Sequence, residues 1–92
     1  MFVDFTAAWC VTCKYNEKTT LADDDVLHQL SAHKVALLRA DWTRRDPAIT
    51  AALAQLGRNG VPVYVFYSNK HPPVVLTEVL STSEVLAAIA QL

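Results

Sequence analysis

The fold is decided by the stretch Trp9-Cys10-Val11-Thr12-Cys13-Lys14, which holds the only two cysteines of the chain. It follows Phe2-Val3-Asp4-Phe5-Thr6, whose β-branched and aromatic residues predict a buried strand. Residues 10–19 contain no Gly or Pro and predict a helix. The first thiol therefore lies at a helix start, where unpaired backbone N–H groups stabilise a thiolate. We predict that Cys10 is the attacking sulfur and that Cys13, one turn deeper, resolves the mixed disulfide.

Two other interpretations of this cysteine pair were weighed, half of a zinc site and a pair of inert buried thiols. A zinc site needs two further ligands at tetrahedral spacing. The chain has no second cysteine pair, and His28, His33 and His71 form no compact pair. We therefore expect no metal and no cofactor other than a redox-active Cys10–Cys13 disulfide, which would close too small a loop to serve stability.

Two carboxylates are predicted near the cysteines. Asp4 stands in an apolar strand and points away from its neighbours Val3 and Phe5, so a buried acid there could accept the proton of Cys13. The alternative is an exposed residue on an edge strand. Glu17, four residues after Cys13, shares its helical face, and its alternative is an ordinary solvated charge. Nearby acids raise cysteine pKa values, which favours a disulfide reductant over an oxidant.

The remaining segments predict an α/β chain with the element order βααβαββα. The later elements are a helix after Asp23-Asp24-Asp25, a buried strand over residues 35–40, a helix from Asp46-Pro47 to Gly57, strands over residues 61–67 and 74–80 joined by a polar turn, and a helix after a capping box at Ser81. Helices between the first three strands predict parallel crossovers, and the last two strands predict a hairpin. The expected fold is a central mixed sheet flanked by helices.

Size and composition limit the possible partners. The chain has 92 residues, which predicts a single domain over residues 1–92. A net charge of −1 and the absence of a basic block argue against nucleic acid. The longest apolar stretch, residues 61–67, is far shorter than the ~20 residues of a membrane span. Because no charged leader precedes an apolar segment, we expect either a cytosolic protein or a piece of a larger exported one.

Gly60-Val61-Pro62 precedes the third predicted strand. Proline removes a ladder donor and belongs at a strand end or beside a functional gap. Composition alone favours a trans bond at Pro62.

Taken in order, Val3-Asp4-Phe5, the Trp9–Lys14 stretch and Val61-Pro62 resemble the thioredoxin superfamily over nearly the whole chain. The resemblance implies an aspartate six positions before the first cysteine and a cis-proline loop facing the disulfide, and Asp4 and Pro62 fall on those positions. It also implies that Trp9, Val61 and Pro62 contact the substrate. The usual first strand and helix of that fold are missing, so we expect a truncated stretch of a longer polypeptide with an exposed or re-paired sheet edge.

Within the superfamily, the chain is most similar to the C-terminal thioredoxin-like domain of the DsbD family of membrane thiol:disulfide interchange proteins. The similarity rests on the Trp9–Lys14 stretch with Glu17, on Ala40-Asp41-Trp42-Thr43 and on Gly60-Val61-Pro62-Val63. It implies a soluble periplasmic domain of an inner-membrane protein. Such a domain takes electrons from a membrane-embedded cysteine pair and passes them to a periplasmic thiol protein.

Two alternatives to that relay are a free-standing thioredoxin-like reductase, cytoplasmic or devoted to cytochrome c maturation, and a non-catalytic binding module. The first differs from the relay only in its electron donor. The second would hold a client along Val61-Pro62 and would still bind after loss of both cysteines.

Overall fold

The computed structural model describes all 92 residues. The elements are, in chain order, β1 (Phe2–Thr6), α1 (Val11–Lys18), a 3-10 turn (Thr20–Ala22), α2 (Asp24–Ala32), β2 (Leu37–Asp41), α3 (Pro47–Gln55), β3 (Val63–Ser68), β4 (His71–Val75) and α4 (Thr82–Ala90). The predicted α/β class and the order of strands and helices are confirmed, and the 3-10 turn is an addition to them.

The four strands form one mixed sheet in the order β2-β1-β3-β4. β1 is central and pairs parallel with β2 and antiparallel with β3, while β3 and β4 form the predicted hairpin. The prediction of parallel crossovers among the first three strands is therefore wrong for β3. The chain leaves β2 at the end of the sheet where β1 also ends, and α3 returns it to that same end. Val61, just ahead of β3, accordingly packs against Ala7 and Cys10, which follow β1.

β2 is an edge strand and not the buried strand that its sequence predicted. Leu37 and Leu38 remain 54% and 50% exposed. Only one side of β2 is hydrogen-bonded to a neighbouring strand. No strand covers its other side. The apolar composition of the segment could not reveal this, because exposure depends on which strands pair and not on the strand itself.

The other edge strand, β4, begins earlier than predicted. It includes Pro72 and Pro73, which the sequence placed in a turn, and it ends at Val75, well before the predicted end at Leu80. Proline lacks a ladder donor and is tolerated on an edge strand, because its nitrogen can face away from the paired neighbour.

The helix starts follow the local sequence signals. The side chains of Asp23, Asp46 and Ser81 accept hydrogen bonds from backbone N–H groups in the first turns of α2, α3 and α4. The capping box at Ser81 is only half formed. Glu84 instead accepts hydrogen bonds from the backbone N–H of Thr77 at 3.1 Å and from its hydroxyl at 2.7 Å, and so ties α4 to the preceding loop.

The two faces of the sheet carry separate apolar cores. The core that includes residues of α2 and α4 contains Phe2, Val26, Leu30, Tyr64, Phe66, Leu76, Leu80, Val85 and Ile89. The core that includes α3 contains Val3, Phe5, Trp42, Leu53, Val63 and Val65. Side chains alternate along β1, so Asp4 shares the face of Phe2 and the first core. None of the helices has both the length and the apolar character needed to cross a bilayer.

Candidate active site

Cys10 and Cys13 are joined in a disulfide at the end of the sheet, with their Cα atoms 5.3 Å apart. Cys10 is the N-cap residue of α1, and its Sγ accepts a hydrogen bond from the backbone N–H of Cys13 at 3.1 Å. Cys13 is completely buried and Cys10 is 6% exposed. Cys10 is therefore the sulfur open to a partner, and it lies where the helix N-terminus favours negative charge.

Exposed apolar side chains flank the cysteines along the chain. Trp9 is 49% exposed, Val11 81% and Tyr15 56%. Apolar side chains grouped around a reactive atom are typical of a docking surface for another protein.

Trp9 is held by the loop that follows β2. Its indole Nε1 donates to the carbonyl oxygen of Thr43 at 3.1 Å, and the backbone N–H of Ala8 donates to Thr43 Oγ1 at 2.8 Å. The guanidinium carbon of Arg45 lies 5.1 Å from the ring centroid of Trp9 and 4.9 Å from that of Trp42. This cation–π stack orients the exposed indole beside the first cysteine.

The Val61–Pro62 peptide bond is cis, in agreement with the resemblance and against the preference inferred from composition. Pro62 is buried immediately before β3. Val61 is partly exposed and packs against the small cluster formed by Ala7, Cys10 and Cys13. The segment Val61-Pro62 therefore lies against the disulfide, although it is remote from it along the chain.

Asp4 is buried in the middle of the sheet, with only 7% of its surface exposed, so the alternative of an exposed edge residue is wrong. Its Oδ1 has no hydrogen-bond partner. Its Oδ2 lies 3.9 Å from Nε of Arg39, the residue opposite it on β2. Burial raises the pKa of Asp4 to about 6, an effect that the charge of Arg39 opposes and that of Glu17 reinforces.

Glu17 belongs to the same charged group. Its Oε1 lies 3.3 Å from Nη2 of Arg39, and its side chain is 28% exposed. Arg39 thus bridges Glu17 on α1 and Asp4 on β1. The three side chains line a cavity of about 230 Å³ whose other walls are apolar: Phe2, Leu21, Leu27, Leu30, Leu37 and Leu38. Glu17 is therefore partly buried and forms an ion pair with Arg39. It is not the ordinary solvated charge of the alternative interpretation.

Asn16 is a fully buried polar residue of α1 that the sequence analysis did not single out. Its side-chain amide donates to the hydroxyl of Tyr64 at 2.9 Å and to the carbonyl oxygen of Glu78 at 2.8 Å, and it accepts from the backbone N–H of Leu80 at 3.1 Å. Burial raises the pKa of Tyr64 to about 12, so its phenol stays neutral. α1 is thereby tied to β3 and to the loop before α4.

The profile of the family described as Thioredoxin-like matches residues 1–69, which include β1, both cysteines and the cis proline. The chain belongs to the thioredoxin-like family.

Relatives of this thioredoxin-like chain include proteins named thiol:disulfide interchange protein DsbD. The one from Yersinia enterocolitica is 33% identical over 95 residues, covering 100% of this chain and 16% of its own length. The one from Campylobacter jejuni is 25% identical over 89 residues, covering 97% of this chain and 15% of its own length. The thioredoxin-like chain thus spans less than a fifth of the length of these relatives.

Solved structures share its fold. The DsbD C-terminal domain of Neisseria meningitidis in its reduced form superimposes with a TM-score of 0.82 at 22% identity, covering 99% of this chain and 78% of that one. A thioredoxin from Thermus thermophilus superimposes with a TM-score of 0.69 at 19% identity, covering 98% of this chain and 70% of that one. The thioredoxin-like architecture predicted from the motifs is therefore confirmed.

In this thioredoxin-like chain the predicted site residues form two groups. Val61-Pro62 and Trp9 border the disulfide, whereas Asp4 and Glu17 meet through Arg39. Helix α1 connects the groups, because Cys13 and Glu17 are one turn apart on the same helical face. No cluster of three or more His, Cys, Asp or Glu side chains is placed to hold a metal ion.

Arg39, Asn16 and the stack of Arg45 on Trp9 were not predicted from the sequence. For Arg39 a signal existed, since it is the one charged residue in the apolar segment 35–40. A charge within a predicted strand invites a search for its partner. Asn16 gives no local signal, because its partners lie far along the chain and only the fold brings them together. Arg45 lies three residues after one partner, Trp42, but its contact with Trp9 likewise depends on the fold.

Proposed function

We propose that this domain is a thiol:disulfide oxidoreductase that reduces disulfides in partner proteins, with the Cys10–Cys13 pair as its only redox group. The observation that carries the proposal is the placement of Cys10 as the N-cap of α1, within disulfide distance of a buried Cys13. Relatives named thiol:disulfide interchange protein support the same chemistry.

The reaction begins with the reduced pair. The Cys10 thiolate, stabilised by the N–H of Cys13 and the helix N-terminus, attacks one sulfur of a partner disulfide. A mixed disulfide forms and the other partner sulfur leaves as a thiolate. Cys13 then gives its proton to the carboxylate of Asp4, and the new thiolate attacks Cys10 Sγ. The Cys10–Cys13 bond forms, the mixed disulfide breaks, and two electrons have passed to the partner.

The partner chain is proposed to lie along Val61-Pro62, with the indole of Trp9 on the other side of the disulfide. This placement is supported by the partial exposure of Val61 beside the sulfurs and by the exposed ring of Trp9. Trp9 and Val11, beside the cysteines, are exposed and apolar, so protein segments are the expected substrates.

Electrons are proposed to flow out of this domain. The carboxylates of Asp4 and Glu17 disfavour negative charge on nearby sulfur, and a raised thiol pKa makes a dithiol a better electron donor. The buried, unpartnered Oδ1 of Asp4 supports this direction, since a burial-raised pKa is what a proton acceptor for Cys13 requires.

We further propose that residues 1–92 are one domain of a longer inner-membrane protein and that the domain works in the periplasm. A membrane-embedded cysteine pair would supply its electrons, and a periplasmic thiol protein would receive them. The proposal is supported by the likeness to DsbD proteins, of whose length the chain covers about one sixth.

The test is the equilibrium potential of the Cys10–Cys13 couple in glutathione or dithiothreitol buffers, with the double Cys→Ser variant as the blank. A potential of roughly −230 to −270 mV is expected of a reducing relay. A potential near about −120 mV would identify an oxidant and reverse the proposed flow. Failure to form the disulfide would instead favour the non-catalytic binding module.

A further inference from the structure

Arg39 lies beside both acids but has no role in the dithiol exchange described above. It is paired with Asp4 in the register of β1 and β2, so the two side chains extend from neighbouring strands on one face of the sheet. Its guanidinium reaches Asp4 Oδ2 with Nε at 3.9 Å and Glu17 Oε1 with Nη2 at 3.3 Å. One cation therefore spans the cavity that both acids line.

Three elements place polar groups against Asp4. Arg39 faces it from β2, Glu17 from α1 and the phenol of Tyr64 from β3. Tyr64 is neutral and its oxygen already accepts a hydrogen bond from Asn16, while Glu17 repels a second negative charge. Arg39 is thus the group that favours the ionised form of a carboxylate whose Oδ1 is otherwise buried without a partner.

We propose that Arg39 is a positioning residue for the exchange reaction, which holds Asp4 as an oriented carboxylate ready to take the proton of Cys13. The inference deepens the proposed function and rests on it. A protonated Asp4 cannot accept a second proton, so the second step of the exchange depends on the fraction of Asp4 that is ionised.

The proton balance of that step is simple. The Cys13 thiol and the Asp4 carboxylate become a Cys13 thiolate and a neutral Asp4 carboxyl group. The thiolate then displaces the partner's sulfur from Cys10, and the partner leaves as a thiolate. Arg39 takes no part in the sulfur exchange, and its proposed effect on the second step is exerted through the carboxylate of Asp4, beside its ion pair with Glu17.

A purely structural ion pair would behave differently. The side chain of Arg39 is 63% exposed, and exposed pairs contribute little to folding free energy. Loss of the guanidinium should therefore leave the folded state almost as stable as before at about pH 5 and below, where Asp4 is protonated with or without Arg39. Its effect on a buried carboxylate is on protonation, which the pH profile of the second step reports directly.

The experiment compares Arg39→Gln, Arg39→Lys and the matched control Arg58→Gln with the parent protein. Arg58 is an exposed arginine that faces neither acid, and the change of net charge is the same. Ellman's reagent is the disulfide probe, because Cys10 releases its first aromatic thiolate and Cys13 its second. Stopped-flow absorbance resolves the two steps, and ¹³C NMR follows the Asp4 carboxyl group in the reduced protein.

We expect Arg39→Gln to raise the midpoint of the Asp4 titration by up to about one pH unit from its parental value. The second thiolate release should then be ~fivefold slower at pH 6, where ionised Asp4 becomes scarce, and within about twofold of the parent at pH 8. The first release should not be slowed, because it needs no proton acceptor. Arg39→Lys should restore most of the second step at pH 6, and Arg58→Gln should match the parent throughout.

Three results would overturn the role of Arg39: an unchanged Asp4 midpoint in Arg39→Gln, a shifted midpoint with an unchanged second step, or a lysine variant no better than the glutamine one. The second result would also remove Asp4 as the proton acceptor for Cys13, but none of the three touches the dithiol–disulfide exchange itself, which fails if the parent protein releases no second thiolate at any pH. The two failures are therefore distinguishable in one data set.

Discussion

The backbone N–H of Cys13 points at the sulfur of Cys10 over 3.1 Å, so the first cysteine closes the turn of helix that carries the second. The two sulfurs are consequently unequal. Cys10 lies at the positive N-terminal end of α1 and is 6% exposed, whereas Cys13 lies inside the helix and is completely buried. This asymmetry is the physical basis for giving the attack to one and the release to the other.

Replacing Cys13 with Ala should trap partners. The variant can still form the mixed disulfide through Cys10 but has no thiolate to break it. We expect a covalent adduct with a thiol-protein substrate that survives non-reducing electrophoresis and disappears on addition of dithiothreitol.

Cys10→Ser is the matched control, and it should form no adduct and abolish exchange. A Cys10→Ser variant that reduces a test disulfide at the parental rate would show that the roles of the two cysteines have been assigned incorrectly.

Asp4→Asn should remove a pH dependence from the free energy of unfolding. Burial raises the pKa of Asp4 from 3.8 to about 6, so the folded state holds a proton that the unfolded state releases, and the parent loses stability as the pH rises from about 4 to about 6. The asparagine variant should gain about 2 kcal/mol on the parent between pH 4 and pH 7. Urea unfolding of the oxidised proteins at both pH values measures the difference.

Asp24→Asn, at an exposed position of α2, controls for the loss of one negative charge. Its stability relative to the parent should change much less between the two pH values. If Asp4→Asn and Asp24→Asn behave alike, burial does not govern the titration of Asp4.

Asn16→Ala should be among the most destabilising single changes in the chain. It leaves the carbonyl of Glu78 and the N–H of Leu80 without the bonds that Asn16 makes and opens space beside Tyr64. Unsatisfied buried polar groups cost about 1–3 kcal/mol each, so a loss of about 3 kcal/mol is expected in urea unfolding.

The exposed Asn59→Ala provides the comparison, with an expected change within about 0.5 kcal/mol. Equal losses in the two variants would mean that the buried network adds nothing to stability.

Arg45→Asn should loosen the exposed indole of Trp9. Arg45 has a positive φ of 53°, which asparagine tolerates, so the change removes the cation–π stack without straining the backbone. We expect stronger acrylamide quenching of the fluorescence of Trp9 and a severalfold higher KM for a protein disulfide, with kcat nearly unchanged. Trp42 is buried and should contribute little to the quenching.

Arg44→Asn removes a neighbouring charge that makes no such stack. Should it raise KM as much as Arg45→Asn does, the effect would come from net charge and not from the orientation of the indole.

Much of the fold was predictable because its signals are local. Asp23, Asp46 and Ser81 cap the helices that their positions predict, and the cysteine motif stands between β1 and α1 as expected. Capping depends on backbone groups two or three residues away, so the sequence contains both partners.

Several of the errors concern partners that are distant along the chain. The direction of β3 depends on where α3 returns the chain, and the exposure of Leu37 depends on a neighbour that β2 lacks. The ion pair of Arg39 with Asp4 exists only because of the register of β1 and β2. The acids themselves could be predicted from spacing, whereas the sequence indicates only that Arg39 needs a partner and not which acids it pairs with.

The anchoring of α1 by Asn16 has a mechanical consequence. With the helix fixed from behind to Tyr64 and to the loop at Leu80, its backbone is not free to follow the sulfurs as they part and rejoin. Opening and closing the disulfide is then left to rotation about the side-chain bonds of Cys10 and Cys13. The helix backbone therefore stays fixed while the two cysteine side chains rotate, and the partner's chain must adapt its shape to reach them.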